Sequence, residues 1–324
     1  MKVKIQKVAF IGAGKIGTGL ALNCVMCGIP AALLTLQTPE ELAQCKERVK
    51  EILNFFVENG VLNEDQAYQA ASRITYATSV AEAVTGAQII QESVPENIEV
   101  KRKTLQEIEN AAAPDAIIAT TTSGLSVSEV FANCKHPERC VGGHPYLPAH
   151  IIPLIEVTKA QQTSDETIEQ VMEFYRMIGK EPVLLQKEMV GFIANRFSSA
   201  IHREAVNLVM NQVCSVEDVD KALVYSLGIR WATMGQALSL HLNASPEGIR
   251  DFTKKFNWVP GQPNRRLATL ADWTVFPENW DQVFADGLEQ EIAARPLETG
   301  RDIHGIEAWR DKMLLQILRL HKKI

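Results

Sequence analysis

The chain has no long apolar run, no run of basic residues and no dense cysteine pattern, and each shortage removes a class of function. None of its hydrophobic stretches approaches the roughly 20 residues that a membrane-crossing helix needs. A formal net charge of −6 and a pI near 5.7, with no basic cluster longer than a few residues, argue against nucleic acid or an anionic membrane as a partner. The six cysteines, at 24, 27, 45, 134, 140 and 214, make neither a disulfide scaffold nor a metal-ligand array, so free thiols and no metal are expected. Cys24 and Cys27 do form a CxxC, but both fall on the first expected helix, where small apolar residues pack against a sheet. The first strand begins within a few residues of Met1, which leaves no room for a targeting peptide and predicts a cytoplasmic location. What remains, 324 residues of which 46% are hydrophobic and 22% charged, is the usage of a soluble globular protein long enough for two domains.

Near the N-terminus, Val3 to Ile11 reads as a buried strand running into Gly12-Ala13-Gly14-Lys15-Ile16-Gly17, and a helix of apolar period follows. This is the strand, glycine turn and helix of a dinucleotide site. The first glycine permits the tight turn, the second lets backbone approach a pyrophosphate, the third lets helix and strand pack, and the helix N-terminus offers amide donors. A second apolar run, Ala31 to Leu36, completes a βαβ unit. Its end carries Thr35 and Gln37 instead of the acidic residue that usually reads the adenine ribose. The closest basic residue is Lys46, so an arginine reader of a 2′-phosphate is missing as well, and NAD is favoured over NADP.

The most informative stretch is Val141-Gly-Gly-His-Pro-Tyr-Leu-Pro148, followed by Pro153-Leu-Ile-Glu-Val157. Imidazole titrates near physiological pH, and a carboxylate bonded to its far nitrogen fixes the tautomer and stabilises the imidazolium. His144 is therefore the candidate base and Glu156 its orienter. Short strands alternating with helices predict a parallel sheet, whose ligands gather at the carboxyl ends of strands. Strand 87–93 leads to Val94, Glu96 and, on the next helix, Lys101, while strand 116–120 leads to Thr121, Thr122 and Ser123. These converge with His144 on one crevice. Plainer readings stand beside the functional ones. Ser123 can cap the short helix expected at 126–131, a task that Thr122 or Ser126 would also fill, and Glu96 with Lys101 can be a solvated pair at a helix start.

With these motifs on the page, the chain resembles the 3-hydroxyacyl-CoA dehydrogenase superfamily over almost its whole length. The resemblance rests on the glycine turn, Gln91 to Asn97 with Lys101, Thr122 to Leu125, Gly143 to Pro148 with Glu156, and Lys187 to Arg196. It implies that His144 and Glu156 form the catalytic dyad and that Ser123 and Asn195 hydrogen-bond the reacting oxygen. It also implies an NAD cofactor held by Gly12 to Gly17, Thr35, Val94, Glu96, Lys101, Thr121 and Ser123, and pairing of subunits into a homodimer. Leu147 stands where the family usually has asparagine, so a polar role at that position is not carried over. Within the superfamily the chain is similar to a branch acting on free acids, that of lambda-crystallin (L-gulonate 3-dehydrogenase) and L-carnitine dehydrogenase. The implied activity is oxidation of a small 3-hydroxy acid. A short-chain 3-hydroxyacyl-CoA substrate and a crystallin-like structural role are the alternatives.

Arg230 and Trp231 are the candidate substrate contacts. Arg230 is read as lying in a glycine-flanked turn between helices, where its planar fork suits a free carboxylate; its alternative is capping a helix or joining an ion pair. Trp231 can face a trimethylammonium group or simply fill a core. No strand signal returns after Asn195. The expected architecture is α/β: a Rossmann-like doubly wound sheet binding the cofactor over 1–188, then an all-α substrate and dimerisation domain over 189–324. Within the latter, an irregular segment from Trp258 to Asp281 and a final amphipathic helix from about His304 to His321 are expected.

Overall fold

The computed structural model describes residues 5–35, 38–58, 60–210, 213–243, 247–251, 289, 292–306 and 309. The chain divides into two compact units, Met1–Arg196 and Phe197–Ile324. In the first, eight strands form one sheet: β1 Val8–Ile11, β2 Ala31–Leu34, β3 Ile74–Ala77, β4 Ile89–Glu92, β5 Ile117–Thr120, β6 Cys140–Pro145, β7 Leu154–Lys159 and β8 Glu181–Leu185. Their order is β3-β2-β1-β4-β5-β6-β7-β8. Neighbours from β3 through β6 are parallel, β7 runs antiparallel to β6, and β8 is parallel to β7. The parallel sheet expected from the strand–helix alternation holds from β3 through β6, and β7 runs against it.

Strands β1, β4 and β5 are buried at every position because helices cover both faces of the sheet. One core joins the sheet to α1 (Lys15–Met26), α2 (Pro39–Glu58), α3 (Glu64–Ser72) and α7 (Asp165–Met177); Leu20, Val49, Ala70 and Phe174 are among its residues. The opposite core joins it to α4 (Val80–Val84), α5 (Ile98–Ala111) and α6 (Val127–Val130) through Val84, Leu105 and Val130. Ser126, not Ser123, caps α6 by accepting from the Glu129 amide. Cys24 is buried against the sheet as expected, whereas Cys27, just past the end of α1, is exposed.

Order reverses between β1 and β4, where the carboxyl ends of neighbouring parallel strands part and leave a crevice. The loops after β1, β4 and β5 and the end of β6 all emerge on that edge. The residues from Glu188 to Arg196 belong to this unit, with Phe192 buried in the core.

The second unit is helical among its described residues, with α8 (Ala194–Met210) leading into it. Ser215 caps α9 (Val216–Ala222), which passes through a π-helical turn at Leu223–Gly228 into α10 (Ile229–Trp231); α11 (Gln236–Leu242) follows. Arg230 therefore rides on a helix. The expected turn is absent because the wider π turn absorbs Gly228 without breaking the helical path. Trp258 to Asp281, Gln37 and most of the last expected helix lie outside the described residues. No helix among the described residues is long and apolar enough to cross a membrane.

Candidate active site

The glycine turn shows why each position needs its residue. Gly12 adopts φ +111°, and a Cβ there would stand 2.6 Å from the Ser93 carbonyl oxygen, at the end of β4. A side chain at Gly17 would overlap the Gly12 carbonyl. At Gly14 nothing lies within 4 Å of a would-be Cβ, so the middle of the turn faces open space. That space belongs to a cavity of about 630 Å³ lined by Gly12 to Gly14, Thr35, Val94 and the start of α2. An extended anion fits here, against bare backbone at the N-terminus of α1. Lys15 and Ile16 form the first turn of that helix, and Lys15 is exposed. Thr35 is buried in the cavity floor.

An arginine does reach this turn, contrary to expectation. Arg48, on the third turn of α2, donates from Nη1 to the Ala13 carbonyl at 2.7 Å, while Lys46 lies over the Tyr76 ring. Distance along the chain hid this contact, since α2 packs beside α1, whose start the glycine turn forms.

Beyond β4, a set of charges is buried. Glu92 is fully enclosed, accepts two bonds from Lys101 Nζ at 3.0 and 3.1 Å, and accepts others from the Thr120 hydroxyl at 2.6 Å and the Val94 amide at 2.7 Å. The solvated pair offered as one reading is thus excluded for Lys101, whose side chain is 1% exposed. Its ammonium reaches Glu96 at 3.4 Å and the Val94 carbonyl at 3.4 Å, so it braces the loop rather than opening onto it. Glu96 in turn accepts from the Thr122 hydroxyl at 2.6 Å and from the amides of Ser123 and Gly124, both at 2.8 Å. Burial alone raises the Glu96 proton affinity, but these bonds and Lys101 outweigh it and hold its pKa down at about 2. The Thr121 amide is tied to the Glu92 carbonyl. With capping left to Ser126, no hydrogen bond engages the Ser123 hydroxyl among the described residues.

His144 and Glu156 are cross-strand partners in the antiparallel β6–β7 pair, which explains their twelve-residue spacing. His144 Nδ1 and Glu156 Oε2 lie 2.8 Å apart, with the carboxylate fully buried. The other oxygen, Oε1, accepts from the amides of Ile193 and Ala194 at 2.8 and 2.9 Å, at the N-terminus of α8. Burial pushes the Glu156 carboxyl up, yet the bonds from His144, Ala194 and Ile193 together hold it below the usual carboxylate range. The imidazole packs against Phe192, ring centroids 5.1 Å apart, and edge-on to Tyr146. The Tyr146 hydroxyl donates to Asn195 Oδ1, and among the described residues the Asn195 amino group has no partner.

Sequence reasoning missed Tyr146, Phe192 and Glu92. Glu92 alone carried a signal, being a carboxylate in an otherwise apolar strand and so in need of a buried partner. In the helical unit, Arg230 and Trp231 are half-buried. The Trp231 indole donates to Gln236 Oε1 at 2.7 Å, and among the described residues the Arg230 guanidinium has no partner.

Residues 7–189 match the family model described as 3-hydroxyacyl-CoA dehydrogenase, NAD binding domain, and residues 191–287 match 3-hydroxyacyl-CoA dehydrogenase, C-terminal domain. The chain is 34% identical to an L-carnitine dehydrogenase of Bacillus cereus over 99% of its length and 94% of that protein's. It is 36% identical to an L-carnitine dehydrogenase of Mesorhizobium japonicum, covering 92% of this chain and 81% of that one. Among solved structures, 3-hydroxybutyryl-CoA dehydrogenase from Escherichia coli aligns with a TM-score of 0.64 and 29% identity, covering 68% of this chain but only 46% of that one.

Proposed function

The chain belongs to the 3-hydroxyacyl-CoA dehydrogenase family of NAD-dependent enzymes, and from that premise we propose that it oxidises a small free 3-hydroxy acid, L-carnitine-like or L-gulonate-like, to the 3-keto acid. The observation that carries the reading is the buried pair of His144 and Glu156 at the carboxyl edge of the sheet. Because Glu156 engages Nδ1, the acceptor left for a substrate hydroxyl proton is Nε2. Glu156 then stabilises the imidazolium, while the two amides at its other oxygen keep the carboxylate itself from taking the proton. The Ser123 hydroxyl and the Asn195 amino group hold the reacting oxygen, as preorganised donors where charge develops. Bound NAD⁺ supplies the acceptor for the hydride. Glycine backbone at 12 to 14 accommodates its diphosphate, and Glu96 with Lys101 keeps the Ser123 loop in place.

Arg230, uncommitted among the described residues, is assigned to the substrate carboxylate, with Trp231 beside it. The fully buried Glu156 carboxylate bonded to His144 favours proton transfer over a purely structural, crystallin-like role. The enzyme works in the cytoplasm as a homodimer in this proposal. The second reading, a short-chain 3-hydroxyacyl-CoA as substrate, draws support from the likeness to the Escherichia coli protein.

Initial rates with carnitine, gulonate, 3-hydroxybutyrate and 3-hydroxybutyryl-CoA separate the two. We expect a free acid to lead, and Arg230→Ala to lower its kcat/KM about ten- to hundred-fold, the worth of one charge-assisted pair. An acyl-CoA that outruns every free acid, at a rate untouched by Arg230→Ala, would favour the second reading.

A further inference from the structure

No carboxylate stands at the end of β2, but the fold brings one to the same cavity from another element. Glu41, in the first turn of α2, lines the wall it shares with Gly12 to Gly14 and Thr35. Its Oε2 accepts from the Thr38 hydroxyl at 3.2 Å, and its amide donates back to the Thr38 oxygen at 3.2 Å. This exchange fixes the carboxylate at the helix start and leaves Oε1 unengaged among the described residues. Arg48 follows on the same helix face, about 10 Å along the axis at 1.5 Å per residue, and its Nη1 is bonded to the Ala13 carbonyl. The Thr18 hydroxyl shares that carbonyl at 3.1 Å.

We propose that Glu41 reads the adenosine ribose hydroxyls of the cofactor and excludes the 2′-phosphate of NADP, while Arg48 fastens the glycine turn. A carboxylate accepts both vicinal hydroxyls of a ribose, which is the service an acidic residue at the end of β2 would otherwise render. Against a 2′-phosphate the same carboxylate is a like charge, and Glu107 adds a second one to the cavity wall. Arg48 is the cation that would answer a phosphate, but one arm of its fork, Nη1, is already committed to the Ala13 carbonyl. The assignment requires only that the cofactor bind, and so stands or falls apart from the choice of substrate.

Calorimetric titration of the purified protein with NAD⁺ and with NADP⁺ tests it without any turnover. Glu41→Gln keeps a residue suited to the third helical position of a capped helix, so the fold should persist, and a thermal melt checks this. The expected result is an NAD⁺ affinity lower by about tenfold, with NADP⁺ affinity held or raised. Arg48→Met should weaken both cofactors by a similar factor, since the glycine turn serves both. The proposal is overturned if Glu41→Gln shifts the two cofactors alike or shifts neither, or if Arg48→Met removes NADP⁺ binding while sparing NAD⁺.

Discussion

Substituting alanine at two neighbouring glycines should separate cofactor binding from folding. Gly14 has φ −70° and ψ −171°, a conformation any residue adopts, and its missing Cβ would meet nothing within 4 Å. Gly14→Ala should therefore leave stability unchanged or raise it by about 0.4–1 kcal/mol, through a less flexible unfolded chain. The added methyl instead occupies the space over which a diphosphate meets backbone amides. Losing one such charge-assisted bond costs about 1.5–3 kcal/mol, which is about ten- to hundred-fold in Kd. Gly12→Ala should behave in the opposite sense. Its φ of +111° suits glycine, and the new Cβ would sit 2.6 Å from the Ser93 oxygen, which is backbone at a strand end and cannot swing away. The strain is of order 1–3 kcal/mol for the dihedral alone, and Tm should fall by about 2–4 °C for each of them in a unit of this size. Calorimetric NAD⁺ titration and thermal melts of both variants read the two effects. A Gly14→Ala protein that binds NAD⁺ like the parent, or a Gly12→Ala protein that melts with it, would refute the reasoning.

His144→Gln should cut kcat severely while NAD⁺ affinity, followed by tryptophan fluorescence, stays near the parent value; normal turnover in that variant would end the assignment of the base. Glu96 gives a pH signature. Its folded pKa, about 2, lies below the unfolded carboxylate value, so its contribution is fully present above about pH 4.5 and is lost as pH falls toward 2. Urea midpoints of the parent and Glu96→Gln should accordingly differ near neutral pH and converge on acidification, and a constant gap down to pH 2 would contradict the bonding drawn here.

What could be read from the residues was whatever is encoded locally. The glycine turn, the apolar runs of β1, β2, β4 and β5, and the Ser215 cap of α9 follow from short-range rules, and each is found at its expected place within a few residues. The reversal at β7 was not legible, because register between strands is a property of two segments. It is this reversal that sets His144 opposite Glu156. Lys46 is nearer in sequence, yet Arg48 reaches the turn for the same kind of reason: both are on α2, but only Arg48 bonds to it, while Lys46 lies over Tyr76. The sequence points Lys101 at the crevice, but its burial follows from Glu92, nine residues earlier and on another element.

The segment after β8 ties the chemistry to the chain's path. Gly191 and Phe192 both take positive φ, +77° and +49°, a conformation that is uncommon for a phenylalanine and costs about 1–3 kcal/mol. Phe192 is nonetheless buried, with its ring on His144, so packing offsets the strain. The tight turn aims the next two amides at Glu156 Oε1 and places Asn195 where Tyr146 can grip its carbonyl. One short stretch thus supplies the surface that holds the imidazole, the donors that keep its partner ionised, and the amide assigned to the substrate oxygen. Because Glu156 receives two of its donors from this turn and one from His144, loosening the turn would leave a buried carboxylate short of partners and free the imidazole at once. Ionisation of Glu156, orientation of the imidazole and oxygen binding are therefore expected to fail together when this turn is disturbed, even by a change that touches neither His144 nor Glu156.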